Sequence, residues 1–175
     1  MFPLPTLQND LVVLQPLAAE DFERLLAVAS DPLIWEQHPN PDRYKREVFA
    51  TYFQGAIESG GALLISDAAT GEVTGCSRFY DYESEQQEVK IGYTFFARRC
   101  WGKGYNAEAK HLMLQHAFQY ADSVIFHVGA QNKRSRRAME KLGAEFLGEE
   151  TVAYYGEAPK QNVVFRIRKG DWKKI

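Results

Sequence analysis

The sequence predicts a mixed α/β (α+β) fold: a mostly antiparallel sheet of about seven strands with a parallel pair near its centre, and about four helices. Three observations point there. Seven short apolar runs are bounded by glycine, proline or polar turns, as strands are. Four longer stretches carry apolar residues at helical spacing instead. Hairpin-like pairs come first, and a strand–helix–strand unit follows, whose right-handed crossover makes its two strands parallel. The length and composition suit one domain over residues 1–175.

Asp10–Gln15 reads as a strand around Leu11-Val12-Val13-Leu14, ended by Pro16. Ala18–Ser30 reads as a helix with Phe22, Leu25, Leu26 and Ala29 on one stripe. Asp31-Pro32 stops it, because the residue before a proline avoids the α region. The following loop to Pro41 carries Trp35 and His38, side chains that either line a substrate site or, for Trp35, plug the core beneath. Asp42–Ser59 reads as a second helix whose face of Phe49, Tyr52, Phe53 and Ala56 is apolar, terminated by Gly60-Gly61. Ala62–Ser66 and Val73–Tyr80 read as strands around a glycine-bearing loop, and Asp81–Gln86 as a polar turn. Glu88–Phe96 is the strand that enters a glycine-rich segment, and Asn106–Tyr120 the largely buried helix that leaves it. Ser123–Val128 is the next strand. A short helix runs to Leu142, and Glu145–Tyr154 and Gln161–Arg168 are the last two strands.

The segment between strand and helix, Arg98 to Ala109, is the centre of the chain. Glycines at such a turn let the backbone approach a ligand closely, and a helix start offers unpaired N–H groups and a partial positive charge. Together they form a phosphate site. A magnesium-holding P-loop is excluded, since Gly102-Lys103 is followed by Gly104 rather than Ser or Thr. Gly102–Ala107 fits the dinucleotide pattern G-x-G-x-x-A, but Asp122, at the acid's distance, precedes the next strand instead of ending it. A third pattern is Arg99-x-x-Gly102-x-Gly104. The bland alternative is a glycine-rich turn with solvated charges.

A net charge of −2 argues against broad nucleic-acid binding. No apolar run reaches the roughly 20 residues of a membrane span, and the first residues lack the pattern of a signal peptide. Cys76 and Cys100 have no metal spacing and suit a reducing cytoplasm. His111 and His116 stand five apart rather than four, so no metal site is expected there.

This order of elements resembles the GNAT acetyltransferase fold over nearly the whole chain. Ile91-Gly92-Tyr93 is similar to that family's central strand, and Arg99–Tyr105 to its pyrophosphate loop. Asn132-x-x-Ser135, followed by Glu140–Ala144, is similar to its second cofactor motif. The branch most resembled is that of the ribosomal-protein N-terminal acetyltransferases. There are departures: Lys90 stands where many members carry Glu, Asn106-Ala107-Glu108-Ala109 where many read Ala-Thr-Glu-Ala, and Met139 near the place where other branches put an acidic Tyr.

The resemblance implies a cytoplasmic N-acetyltransferase, monomer or homodimer, with acetyl-CoA as co-substrate. Its acceptor is a primary amine, either a peptide or protein N-terminus or a small amine, attacking directly. The alternative is an acyl-CoA-binding sensor or interaction module without turnover. A nicotinamide-dependent oxidoreductase is a third reading. Arg99, Trp101, Gly102, Lys103, Gly104, Tyr105 and Asn106 are implied to bind the cofactor phosphates, with Lys133, Arg134, Arg136 and Arg137 as a basic rim or, for the last two, a solvated helix face. The pantetheine is implied to lie between splayed strands Glu88–Phe96 and Ser123–Val128, hydrogen-bonded by Asn132. A backbone N–H near Thr94 or Phe95, next to a bulge, is the oxyanion donor. Ser135 is either the proton donor to the thiolate, the cap of its helix, or both. Glu88 is either a base acting through water or a solvated charge. Trp35, His38 and Tyr154 are expected around the acceptor, whose few surrounding fixed charges suit a peptide N-terminus or a mono-amine.

Overall fold

The computed structural model describes residues 2–172. Its first strand, β1 (Leu7–Gln8), is one the sequence reading lacks, so the sheet has eight strands rather than seven. The others are β2 (Val12–Pro16), β3 (Ala62–Asp67), β4 (Val73–Glu83), β5 (Glu88–Phe96), β6 (Ser123–Gly129), β7 (Glu145–Val152) and β8 (Lys160–Arg168). Four helices accompany them: α1 (Phe22–Ala29), α2 (Arg46–Ser59), α3 (Tyr105–Ala117) and α4 (Lys133–Lys141).

Several expected boundaries are corrected. The first two helices begin late, because Ala19–Asp21 and Pro41–Tyr44 form tighter 3-10 turns. The second of these turns starts at a proline held by Asn40, whose side chain accepts from Asp42 N–H. β4 runs through Asp81 to Glu83, with Asp81 at a positive φ of 47°. α3 stops at Ala117, three residues short of Tyr120.

The sheet order is β1-β2-β3-β4-β5-β6-β8-β7. Every neighbouring pair is antiparallel except β5 and β6. Alternate strand residues feed opposite faces, as the period of two requires. Leu63 and Ile65 join Phe79, Ile91, Met113 and Leu114 beneath α3. Leu64 and Cys76 join Leu25, Trp35, Phe49 and Phe53 beneath α1 and α2. Burying each such side chain contributes about 1.5–3 kcal/mol of transfer free energy.

Two irregularities in the sheet position the site. The parallel pairing of β5 and β6 lasts for three residue pairs, Glu88–Ser123, Val89–Val124 and Lys90–Ile125, and then ends. Beyond it β5 stays with β4 and β6 stays with β8, so a wedge opens between them. The second irregularity is a bulge. Cys76 faces Phe95 and Arg78 faces Gly92, which leaves Tyr93 and Thr94 opposite Ser77 alone. Tyr93 has φ of +54°, an uncommon conformation for a bulky side chain. The Tyr52 hydroxyl holds it by donating to Tyr93 O at 2.8 Å.

Candidate active site

The wedge opens into a cavity of about 810 Å³. One end lies at the glycine segment and the start of α3, and the other at the loop of Trp35 and His38. Helix α4 closes one side through Asn132, Ser135 and Met139.

At the first end, Gly102 and Gly104 adopt φ of +71° and +87°, values open to glycine at little cost. The amides of Gly102, Gly104 and the first turn of α3, Tyr105 to Ala107, make no backbone hydrogen bond among the described residues. They form an N-terminal anion site of the kind the sequence predicts. The Trp101 indole donates to Phe96 O at 3.0 Å, and the Arg134 guanidinium stacks over its ring at 3.8 Å. Arg134 also donates to Ile34 O at 2.9 Å, tying α4 to the loop before Trp35. Burial lowers the Arg134 pKa.

On α4 the cap is Asn132, whose Oδ1 accepts from Ser135 N–H at 3.1 Å. Ser135 is therefore not the cap, and its hydroxyl lines the cavity. The Asn132 amide nitrogen stays available as a donor.

At the middle, Lys110 of α3 is 3% exposed and places Nζ 2.6 Å from Thr94 Oγ1 and 3.1 Å from Ser77 Oγ. Burial pulls its pKa down to about 7. On the other face of β4, Arg78 is also buried and donates to Gly55 O and Tyr52 O, with its guanidinium 3.9 Å from the Tyr93 ring centroid. Two buried cations thus flank the bulge.

At the far end, Trp35 is 2% exposed and its indole donates to Ala29 O at 2.7 Å. It is both a core residue and part of the cavity wall, so both readings of it hold. Burial, then the adjacent Arg43 charge, keeps the His38 pKa well below the usual histidine value. Arg43 itself is buried and paired with Glu157. The Tyr154 hydroxyl donates to Asn162 Oδ1 at 2.7 Å, and burial raises its pKa. His127, just past the point where the strands part, places Nε2 3.0 Å from Glu150 Oε2 and Nδ1 3.4 Å from the Tyr80 hydroxyl.

The fold brings Trp35, His38, Phe95, Trp101, Gly102, Gly104, Asn106, Asn132, Ser135 and Tyr154 to one cavity. It does not bring Glu88 there, because that residue pairs with Ser123 at the closed end of the wedge. Arg99 turns outward to Glu72, and the Tyr105 hydroxyl turns away to Asp67. Lys103 is exposed beside the loop rather than in the cavity wall. Lys110, Arg78, Arg43 and the His127–Glu150 pair are additions that the sequence reading lacks. A signal for Lys110 exists: it lies four residues before Leu114 and three before Met113, on the buried side of α3. The partner of His127 comes from β7, and no local spacing reveals it.

Residues 12–145 match the family model described as "Acetyltransferase (GNAT) domain". A curated relative, the Bacillus subtilis (strain 168) protein YkkB, is 36% identical over 87 residues, which is 47% of this chain. That match spans 49% of YkkB, about half its length. A Thermus-type structure from T. thermophilus, put forward as an acetyltransferase, is 29% identical with a TM-score of 0.79, covering 98% of this chain and 94% of that one. A Vibrio cholerae structure put forward as a ribosomal-protein-serine acetyltransferase shares the fold at a TM-score of 0.72 and 18% identity, covering 96% and 99%.

Proposed function

The chain belongs to the GNAT acetyltransferase family, and from that membership we propose that it transfers an acetyl group from acetyl-CoA to a primary amine by direct attack of the amine on the thioester. One observation carries the reading: the anion-binding start of α3, the wedge between β5 and β6, and the aromatic recess of Trp35 and Tyr154 open onto a single cavity. A cofactor with phosphates at one end and a thioester at the other matches that sequence of surfaces.

In this proposal the amides of Gly102, Gly104 and the first turn of α3 hold the pyrophosphate, with Arg134 beside them. Asn132 donates its amide N–H to the pantetheine arm. The bulge amides at Thr94 and Phe95 receive the oxyanion. The buried charge of Arg78, with no carboxylate partner among the described residues, adds to the field there. Such a field also disfavours an ammonium, so the acceptor arrives as the neutral amine. His127 takes the amine proton at Nδ1, while Glu150 accepts from Nε2–H and fixes the tautomer. Glu88 cannot do this from the closed end of the wedge. Ser135 offers its hydroxyl to the leaving sulfur.

The acceptor recess has aromatic walls, and its one cation, Arg43, is already neutralised by Glu157. That supports a peptide N-terminus or an uncharged-bodied small amine, in keeping with the ribosomal-protein N-terminal branch. A free α-amine also loses its proton more readily than a lysine side chain, with a pKa of about 8 against about 10.4. Two buried free thiols, Cys76 and Cys100, support a reducing cytoplasm. The test is thiol release from acetyl-CoA with a panel of peptides bearing free N-termini and small amines. Turnover on α-amines supports the proposal. Tight CoA binding with no turnover on any amine would replace it with the sensor reading.

A further inference from the structure

The cofactor side of the wedge holds a group to which acyl transfer, as described, gives no task. Lys110 is buried, lines the cavity, and has no carboxylate partner among the described residues. Its Nζ sits 5.9 Å from the Phe126 ring centroid and within hydrogen-bond distance of two hydroxyls, Thr94 Oγ1 and Ser77 Oγ. Helix α3 gains nothing from a lysine there, since burying an unpaired ammonium is costly. We infer that Lys110 protonates the sulfur of the departing CoA as the thioester breaks. This assignment rests on the acetyl-transfer reading above and deepens it.

The valences of the cluster support the role. An ammonium has three N–H bonds. Two of them are directed at the Thr94 and Ser77 oxygens, and those hydroxyls lie 2.7 Å apart. The third has no acceptor from the described residues and is free for a ligand atom in the cavity. When the tetrahedral intermediate collapses, the C–S bond breaks and its electron pair stays on sulfur. Sulfur then takes that third proton. Lys110 is left as a neutral amine whose two remaining N–H bonds are still accepted by the same two hydroxyls. The charged and neutral states therefore fit one arrangement, and little has to move. The proton given up by the attacking amine leaves through His127 to solvent, and solvent recharges Lys110. The sum is acetyl-CoA plus amine giving amide plus CoA thiol.

The electrostatics agree. The one titratable group acting on Lys110 among the described residues is the Cys76 thiol, a smaller influence than burial. With the pKa near neutrality both protonation states are populated, which is what a proton donor needs. The Ser135 hydroxyl is a far weaker acid than an ammonium, and hydrogen-bonding the sulfur is the task it can perform.

The experiment compares CoA with desulfo-CoA by calorimetry near pH 7, on wild type and Lys110→Met, and follows turnover in those proteins and in Lys110→Arg. Wild type should prefer CoA by about tenfold, through a thiolate paired with the ammonium. Lys110→Met should bind the two alike, at the desulfo-CoA level. Both variants should lose about 10²-fold or more in kcat, with KM for acetyl-CoA little changed. Arginine keeps the charge and does not release the proton, so a Lys110→Arg protein that turns over like wild type would reduce the residue to an electrostatic role. A Lys110→Met protein that keeps the preference for the thiol would overturn the assignment alone. Wild type that binds neither ligand would bring down the acetyl-CoA reading and this assignment with it.

Discussion

The Arg134 guanidinium lies flat over the Trp101 indole, 3.8 Å from the ring centroid, while its Nη2 donates to Ile34 O. One side chain thus joins the start of α4, the glycine segment and the loop before Trp35 at the mouth of the cavity. Arg134→Ala should weaken CoA binding by about tenfold or more, since a stacked, charge-assisted contact is lost. Arg134→Lys should recover part of this, because it restores the charge without the planar stack. Calorimetric titration with CoA at low and high salt checks both.

Gly104 has room for a side chain, with Leu11 Cδ2 3.7 Å from an added Cβ, but its φ is +87°. Gly104→Val should therefore fold with about 1–2 kcal/mol of backbone strain and cover amides needed by the phosphates. Gly143 has a similar φ of +74° and open space around it, at the end of α4. Gly143→Val should show comparable strain in chemical denaturation. Its CoA affinity should stay near wild type, while that of Gly104→Val falls.

Asn132, not Ser135, caps α4. Asn132→Ala should cost about 1 kcal/mol of stability and also weaken CoA binding. Ser135→Ala should leave the melting temperature nearly unchanged. Any effect of that variant belongs in kcat, and thermal melts beside steady-state kinetics separate the two.

Lys110 gives a prediction with a definite sign. Its folded pKa of about 7 lies below the unfolded value near 10.4. Below pH 7 the folded protein carries the full penalty of the buried charge, and the penalty is relieved as pH rises from about 7 towards 10.4. Lys110→Met removes the penalty at every pH. The variant should be more stable than wild type near pH 6, and its advantage should shrink by about 3 kcal/mol by pH 9.5. Urea titrations of both proteins at the two pH values measure this. A constant difference would mean that Lys110 does not titrate in that window.

Trp35 and Tyr154 share the acceptor end but differ in what they support. Trp35 is 2% exposed, so Trp35→Ala should destabilise by about 3–5 kcal/mol and is a poor probe of binding. Tyr154 is held by Asn162 and stands edge-on to Tyr93. Tyr154→Ala should raise KM for the acceptor several-fold and leave KM for acetyl-CoA within a factor of about two.

The parts legible in sequence are those where local chemistry alone decides the structure. β5, the glycine segment and α3 announce themselves through an apolar strand, two glycines with positive φ and a helical stripe. β1 does not, because Leu7–Gln8 is a two-residue strand after Pro3 and Pro5, with nothing periodic in it. The late starts of α1 and α2 were hidden because a 3-10 turn and an α-helix share the same opening residues. The cofactor end was readable because backbone amides and a cap do its work. The proton-handling groups were not. Glu88 stands on the right strand, but pairing with Ser123 puts it at the closed end. His127 acquires meaning only from Glu150 across the sheet, and Lys110 only from the hydroxyls of Thr94 and Ser77 on two other strands.

The wedge has a mechanical consequence. Three residue pairs are all that hold β5 to β6, so the sheet is two leaves on a short spine. Past that spine each leaf shows a raw inner edge of backbone amides and carbonyls. Pantetheine carries amides of its own and can lace those edges together like a missing strand. Such a ligand acts as a splint, and at a hundred times its Kd it adds about 2.7 kcal/mol to folding. Amide hydrogen exchange should slow most along Ile91–Phe96 and Phe126–Gly129 when CoA is added, and the ends of the sheet at β1 and β7 should feel little of it.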